Sequence, residues 1–77
     1  MRVKERCVLI SFRTTNEAMA FEFKCEGMIT GRLIPLPPLI HAGCGLAWKS
    51  SVREKLNLLN LIKKEDLTYD EIYELEL

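Results

Sequence analysis

A single thiol stands between two glycines at Gly43-Cys44-Gly45, shortly after Pro35, Pro37 and Pro38. Glycine has no side chain to crowd a neighbour, so this flanking predicts a sulfur that other molecules can reach. A reachable thiolate is a nucleophile and a carrier of further atoms, but an ordinary thiol is mostly protonated at neutral pH and needs help to ionise. Two residues are candidates for that help. His41, three residues ahead of Cys44, shares a proton across the loop, and Arg32 places positive charge nearby from the preceding strand. The plain alternative is that Cys44 is a small buried residue at a strand start, with the glycines serving the backbone. Cys7 and Cys25 lie in regular elements and read as core. A weaker expectation makes one of them a resolving thiol that bridges to Cys44. His41 with Cys44 is only half of a metal-site spacing, and Cys7 is the one obvious third ligand, so no metal or cofactor is expected.

The elements that must position these residues follow from periodicity. Residues 7–12 alternate Val8, Ile10 and Phe12 against Cys7, Leu9 and Ser11, which predicts a strand. Thr14 and Glu17 have capping-box spacing, and Ala18, Phe21 and Cys25, widened by Met19 and Phe23, predict a helix over 15–26 closed by Gly27. A second strand is expected over 28–35, stopped by the prolines, and a third over 44–49 with Leu46 and Trp48 on one face. Ser51 and Glu54 repeat the capping-box spacing before a second helix whose face is marked by Val52, Leu56, Leu59 and Ile62 or Lys63, ending near Lys64. Residues 70–77 read as an edge strand with its acidic side, including Glu74 and Glu76, towards water.

The order strand, helix, strand, strand, helix, strand predicts an α+β ferredoxin-like βαββαβ sandwich, a four-stranded antiparallel sheet with both helices on one face. In the order 4-1-3-2, strands one and three are central neighbours and are expected to run the same way. Cys7 and Cys44 would then start at one pole of the sheet, with Cys25 ending near it.

Seventy-seven residues make a single domain, 1–77, near the low end of what folds unaided. With 48% hydrophobic and 29% charged residues there is material for both a core and a surface. Eleven basic side chains balance eleven acidic ones, which argues against a nucleic-acid backbone as partner. Neither Trp48 nor Phe12 has the interleaved basic residues of a base-stacking surface. The apolar run after the charged start, Met1 to Arg6, is too short for a signal peptide or a membrane span, and three cysteines without a pairing pattern suit a reducing compartment, so the cytoplasm is expected.

Gly31-Arg32-Leu33-Ile34-Pro35-Leu36-Pro37, followed after a short gap by Cys44-Gly45-Leu46-Ala47, resembles the selenium/sulfur carrier-like domain family. Ser11-Phe12, Thr14-Thr15 ahead of a helix holding Ala18 and Glu22, and Gly27 before Met28-Ile29 extend the likeness over nearly the whole chain. The resemblance implies a ferredoxin-like domain whose Cys44 carries sulfur or selenium as a persulfide or selenosulfide. Such a protein is a carrier rather than an independent enzyme, loaded by a cysteine desulfurase or sulfurtransferase and unloaded by an acceptor enzyme. The loop departs from the family pattern: Leu36 replaces a common threonine, Pro38 a common arginine, and His41-Ala42-Gly43 small hydroxyl residues. Loss of that arginine removes an anion or thiolate partner. The alternative function is a non-catalytic regulatory or protein-interaction module of the same fold, and edge pairing of strand two or four would give a homodimer.

Overall fold

Val8, Ile10 and Phe12 form one face of the first strand and lie buried against both helices in the computed structural model, which describes residues 5–41 and 43–77. Met1 to Lys4 of the charged start, and Ala42 of the loop, lie outside those residues. The elements are β1 (Arg6–Ser11), α1 (Thr15–Cys25), β2 (Gly31–Pro35), β3 (Leu46–Ser51), a short 3-10 turn (Val52–Glu54), α2 (Lys55–Glu65) and β4 (Ile72–Glu76). The sheet order is β2-β3-β1-β4 with every neighbouring pair antiparallel, the ferredoxin-like arrangement. Among the described residues no helix is long and apolar enough to cross a membrane.

Antiparallel pairing of β1 with β3 corrects the expectation that these strands run the same way. Cys7 is opposite Ser51 and Ser11 is opposite Ala47, so the start of β1 meets the end of β3. A split βαβ unit leaves a gap between its two parallel strands, and the strand that fills the gap must oppose both. Cys7 and Cys44 therefore lie at opposite poles, roughly 20 Å apart along the strands at about 3.3 Å per residue.

Helix α1 begins as its sequence requires. The Thr14 side chain accepts the Glu17 N–H at 3.2 Å, and the Glu17 carboxylate accepts the N–H of Arg13, one residue ahead of the cap, at 2.9 Å. Its buried face is Ala18, Phe21 and Cys25, whereas Met19 and Phe23 face outward rather than widening it. Gly27 closes the helix with φ of 76°, a left-handed conformation that suits a residue without Cβ. At α2 the second capping box does not form. Ser51 accepts from Arg53 N–H at 3.3 Å and starts the 3-10 turn, which shifts the helical phase. Leu58 and Leu61 are buried in consequence, and Leu56 and Leu59 are exposed. Strand β4 is at the edge, where Glu74 meets Lys55 at 3.2 Å and Arg6 at 3.8 Å.

The core is organised by aromatic contacts. Phe21 meets Phe12 edge-on at 5.2 Å between centroids and Trp48 at 5.8 Å, and the Trp48 indole N–H donates to the buried Ser50 hydroxyl at 2.7 Å. Gly31 lies directly over this group. A Cβ there would come within 2.6 Å of both the Lys49 carbonyl and the Trp48 ring. Gly31→Ala should therefore lower unfolding free energy by about 1–3 kcal/mol in a denaturant titration. Gly45→Ala, which meets open space, should change it by less than about 0.5 kcal/mol. Equal effects would contradict the β2–β3 packing.

Candidate functional site

Cys44 is reached from the β2–β3 hairpin, whose ladder is continued by the Leu36 N–H donating to the Gly45 carbonyl at 2.9 Å. Between these anchors the chain makes an overhang in which Ile40 N–H donates to Pro37 C=O at 3.0 Å and Leu39 stands 94% exposed. The overhang returns against the end of β1, where the Cys44 N–H donates to the Phe12 carbonyl at 3.2 Å. Gly43 is required by this approach, since a Cβ there would be 2.5 Å from the Arg13 carbonyl oxygen. The glycine thus serves backbone contact rather than sulfur exposure. Cys44 is only 3% exposed and belongs to the buried cluster with Phe12, Ala18, Phe21 and Trp48, which corrects the expectation of an open sulfur.

Among the described residues one polar side chain meets that sulfur: the Thr15 hydroxyl, in the first turn of α1, lies 3.8 Å from Cys44 Sγ. Thr15 was not among the sequence candidates. The Thr14-Thr15 pair was its signal, because only one hydroxyl of the two can cap the helix and the other is left for a neighbour. Arg13 is the second omission. Its carbonyl seats Gly43, while its side chain reaches the Tyr69 carbonyl at 3.3 Å and Asp70 at 3.7 Å.

His41 is exposed on the overhang, and among the described residues no hydrogen bond joins it to Cys44. Arg32 is in register with Lys49, five residues along β3 from Cys44, a separation of roughly 16 Å. It also projects from the sheet face opposite to the helices, because its neighbour Leu33 pairs with buried Trp48 on the helix side. The structure therefore does not bring Arg32 to the thiol. Cys25 ends α1, whereas Cys44 meets its first turn, so about 15 Å of helix separates them. All three cysteines are free and buried, and neither Cys7 nor Cys25 is close enough to bridge Cys44, which overturns the resolving-thiol expectation.

Burial pushes the Cys25 thiol up to about 11 from an ordinary 9.0. It raises Cys7 too, with the nearby Lys49 charge acting in the opposite direction. The folded state holds the Cys25 proton more tightly than the unfolded chain does, so this contribution to stability is complete below pH 9 and is lost as pH rises through 11. Cys25→Ala should flatten that alkaline fall in denaturant titrations at stepped pH, and an unchanged slope would show that the thiol is not so held. Gly43→Ala should force the overhang away from Arg13 and raise the rate of Cys44 alkylation by about tenfold through easier local opening. An unchanged rate would show that this contact does not close the site.

Neither a curated protein nor a solved structure matches the chain. The family model described as "Putative Se/S carrier protein-like" matches residues 7–74, which include both helices, β2 and β3 whole, β1 from Cys7 onward, the hairpin overhang and Cys44. On that match the chain belongs to the Se/S carrier protein-like family.

Proposed function

We propose that this protein carries a sulfur or selenium atom on Cys44, as a persulfide or selenosulfide, between a donor and an acceptor enzyme. Family membership over residues 7–74 supports the cargo. The observation that carries the choice of residue is the position of Cys44: its sulfur lies at a junction of loop, strand end and helix start, with the Thr15 hydroxyl beside it. Cys7 and Cys25 instead lie within regular elements, and burial holds both more firmly protonated than an ordinary thiol.

The Cys44 thiolate attacks the outer sulfur of the donor's persulfide. A new S–S bond forms at Cys44 as the donor's S–S bond breaks, the donor leaves as a thiolate, and no separate oxidant or reductant is consumed. Attack along the S–S axis needs room in front of the sulfur, so the overhang between Leu36 and Cys44 must open for loading and again for delivery. His41 moves with that overhang and is the titratable group able to meet the open thiol. Thr15, rather than Arg32, is the partner in the closed state. The donor is of the cysteine desulfurase or sulfurtransferase class, and the protein works in the cytoplasm.

A second function is favoured by the burial of Cys44: a regulatory or interaction module in which the thiol is only core, and in which edge strand β2 or β4 pairs with a second copy. Incubation with an active cysteine desulfurase and cysteine separates the two. Carrier function predicts the added mass of one sulfur on Cys44, absent from Cys44→Ser. An unmodified Cys44 beside a turning-over desulfurase contradicts it and leaves the module.

A further inference from the structure

On the sheet face away from the helices, Arg32 and Lys49 are direct cross-strand neighbours in the β2–β3 register. Like charges placed directly opposite one another destabilise a sheet. Among the described residues neither side chain forms an ion pair, although four other ion pairs occur on this small surface. Both side chains line one open cleft of about 740 Å³, together with Thr30, Ser51, Cys7 and, at its rim, Glu5. Cys7 is opposite Ser51 in the β1–β3 register, so thiol and hydroxyl form the floor beside the two cations. The Lys49 charge acts on the Cys7 thiol, which agrees with the ammonium group lying over that floor. Glu5 is the one acidic side chain on the lining and bridges to neither Arg32 nor Lys49, whereas the third lining cation, Arg6, is paired with Glu74 at 3.8 Å. Arg32 also borders a second cleft, lined by Glu22 and Glu26, and forms an ion pair with neither.

We propose that the cleft bounded by Arg32, Lys49 and Ser51 binds a tetrahedral oxyanion of the phosphate or sulfate class. A guanidinium fork and an ammonium group give charge-assisted hydrogen bonds to such an anion, and hydroxyl donors at Ser51 and Thr30 complete its shell. The anion relieves the Arg32–Lys49 repulsion that the fold otherwise tolerates. This site stands apart from Cys44, on the other side of the sheet, and does not depend on sulfur transfer.

The test is a titration of the full chain with inorganic phosphate, sulfate and phosphoserine, at ionic strength held constant with chloride, followed by amide NMR and by thermal unfolding. Saturable shifts at Thr30, Arg32, Lys49 and Ser51 are expected, with a rise in Tm. Saturation by phosphate or sulfate assigns a free ion, and saturation by phosphoserine alone assigns an ester-borne phosphate. Arg32→Gln/Lys49→Gln should weaken binding by about tenfold or more, yet be at least as stable as the natural chain in chloride alone, because the repulsion is gone. No saturable shift with any of the three probes, or binding that survives the double substitution undiminished, overturns the proposal.

Discussion

The turn from Phe12 to Thr15, where β1 gives way to α1, is the constraint on which the rest depends. In four residues it accepts the Cys44 N–H at the Phe12 carbonyl, seats Gly43 against the Arg13 carbonyl, ties Arg13 to Asp70, and caps α1 through Thr14. The Thr15 hydroxyl then faces the Cys44 sulfur. Strand, helix, hairpin overhang and the approach to β4 all meet there. The exposed ion pair contributes little energy alone. The hydrogen bonds and the glycine contact are what determine where the thiol lies.

The two faces of the sheet divide the chemistry. Towards the helices, Phe12, Phe21 and Trp48 build an aromatic core into which Cys44 is drawn by its alternation with Leu46 and Trp48. Away from them, Leu9 and Ala47 are sealed by their neighbours without a helix above, and cations accumulate along the β2–β3 pair. A thiol held between loop and core is protected from the solvent oxidants that would carry it to irreversible acids. Access then becomes a matter of loop opening rather than of standing exposure.

Much of this was legible in the chain. Alternation from Cys7 to Phe12, the Thr14–Glu17 spacing, Gly27 and the order of elements all appear where periodicity put them. Helix α2 was harder to read because Leu56, Leu58, Leu59, Leu61 and Ile62 are apolar nearly all round, so the phase was decided by the Ser51 turn and not by pattern. Strand direction was inferable from topology alone, and misassigning it put three thiols at one pole. Cys44 misled for a different reason: a glycine beside a cysteine signals close backbone approach, and nothing local says whether that approach opens the sulfur or closes over it.

The proposed carrier function requires a closed Cys44 that is released by local motion of the overhang, independently of global unfolding. The most direct measurement is native-state thiol exchange at Cys7, Cys25 and Cys44 across sub-denaturing concentrations of denaturant. The account predicts that Cys44 reacts through a low-energy opening nearly insensitive to denaturant, while Cys25 reacts only with global unfolding. If all three thiols share one opening free energy and one denaturant dependence, Cys44 is simply core and the gated carrier is contradicted.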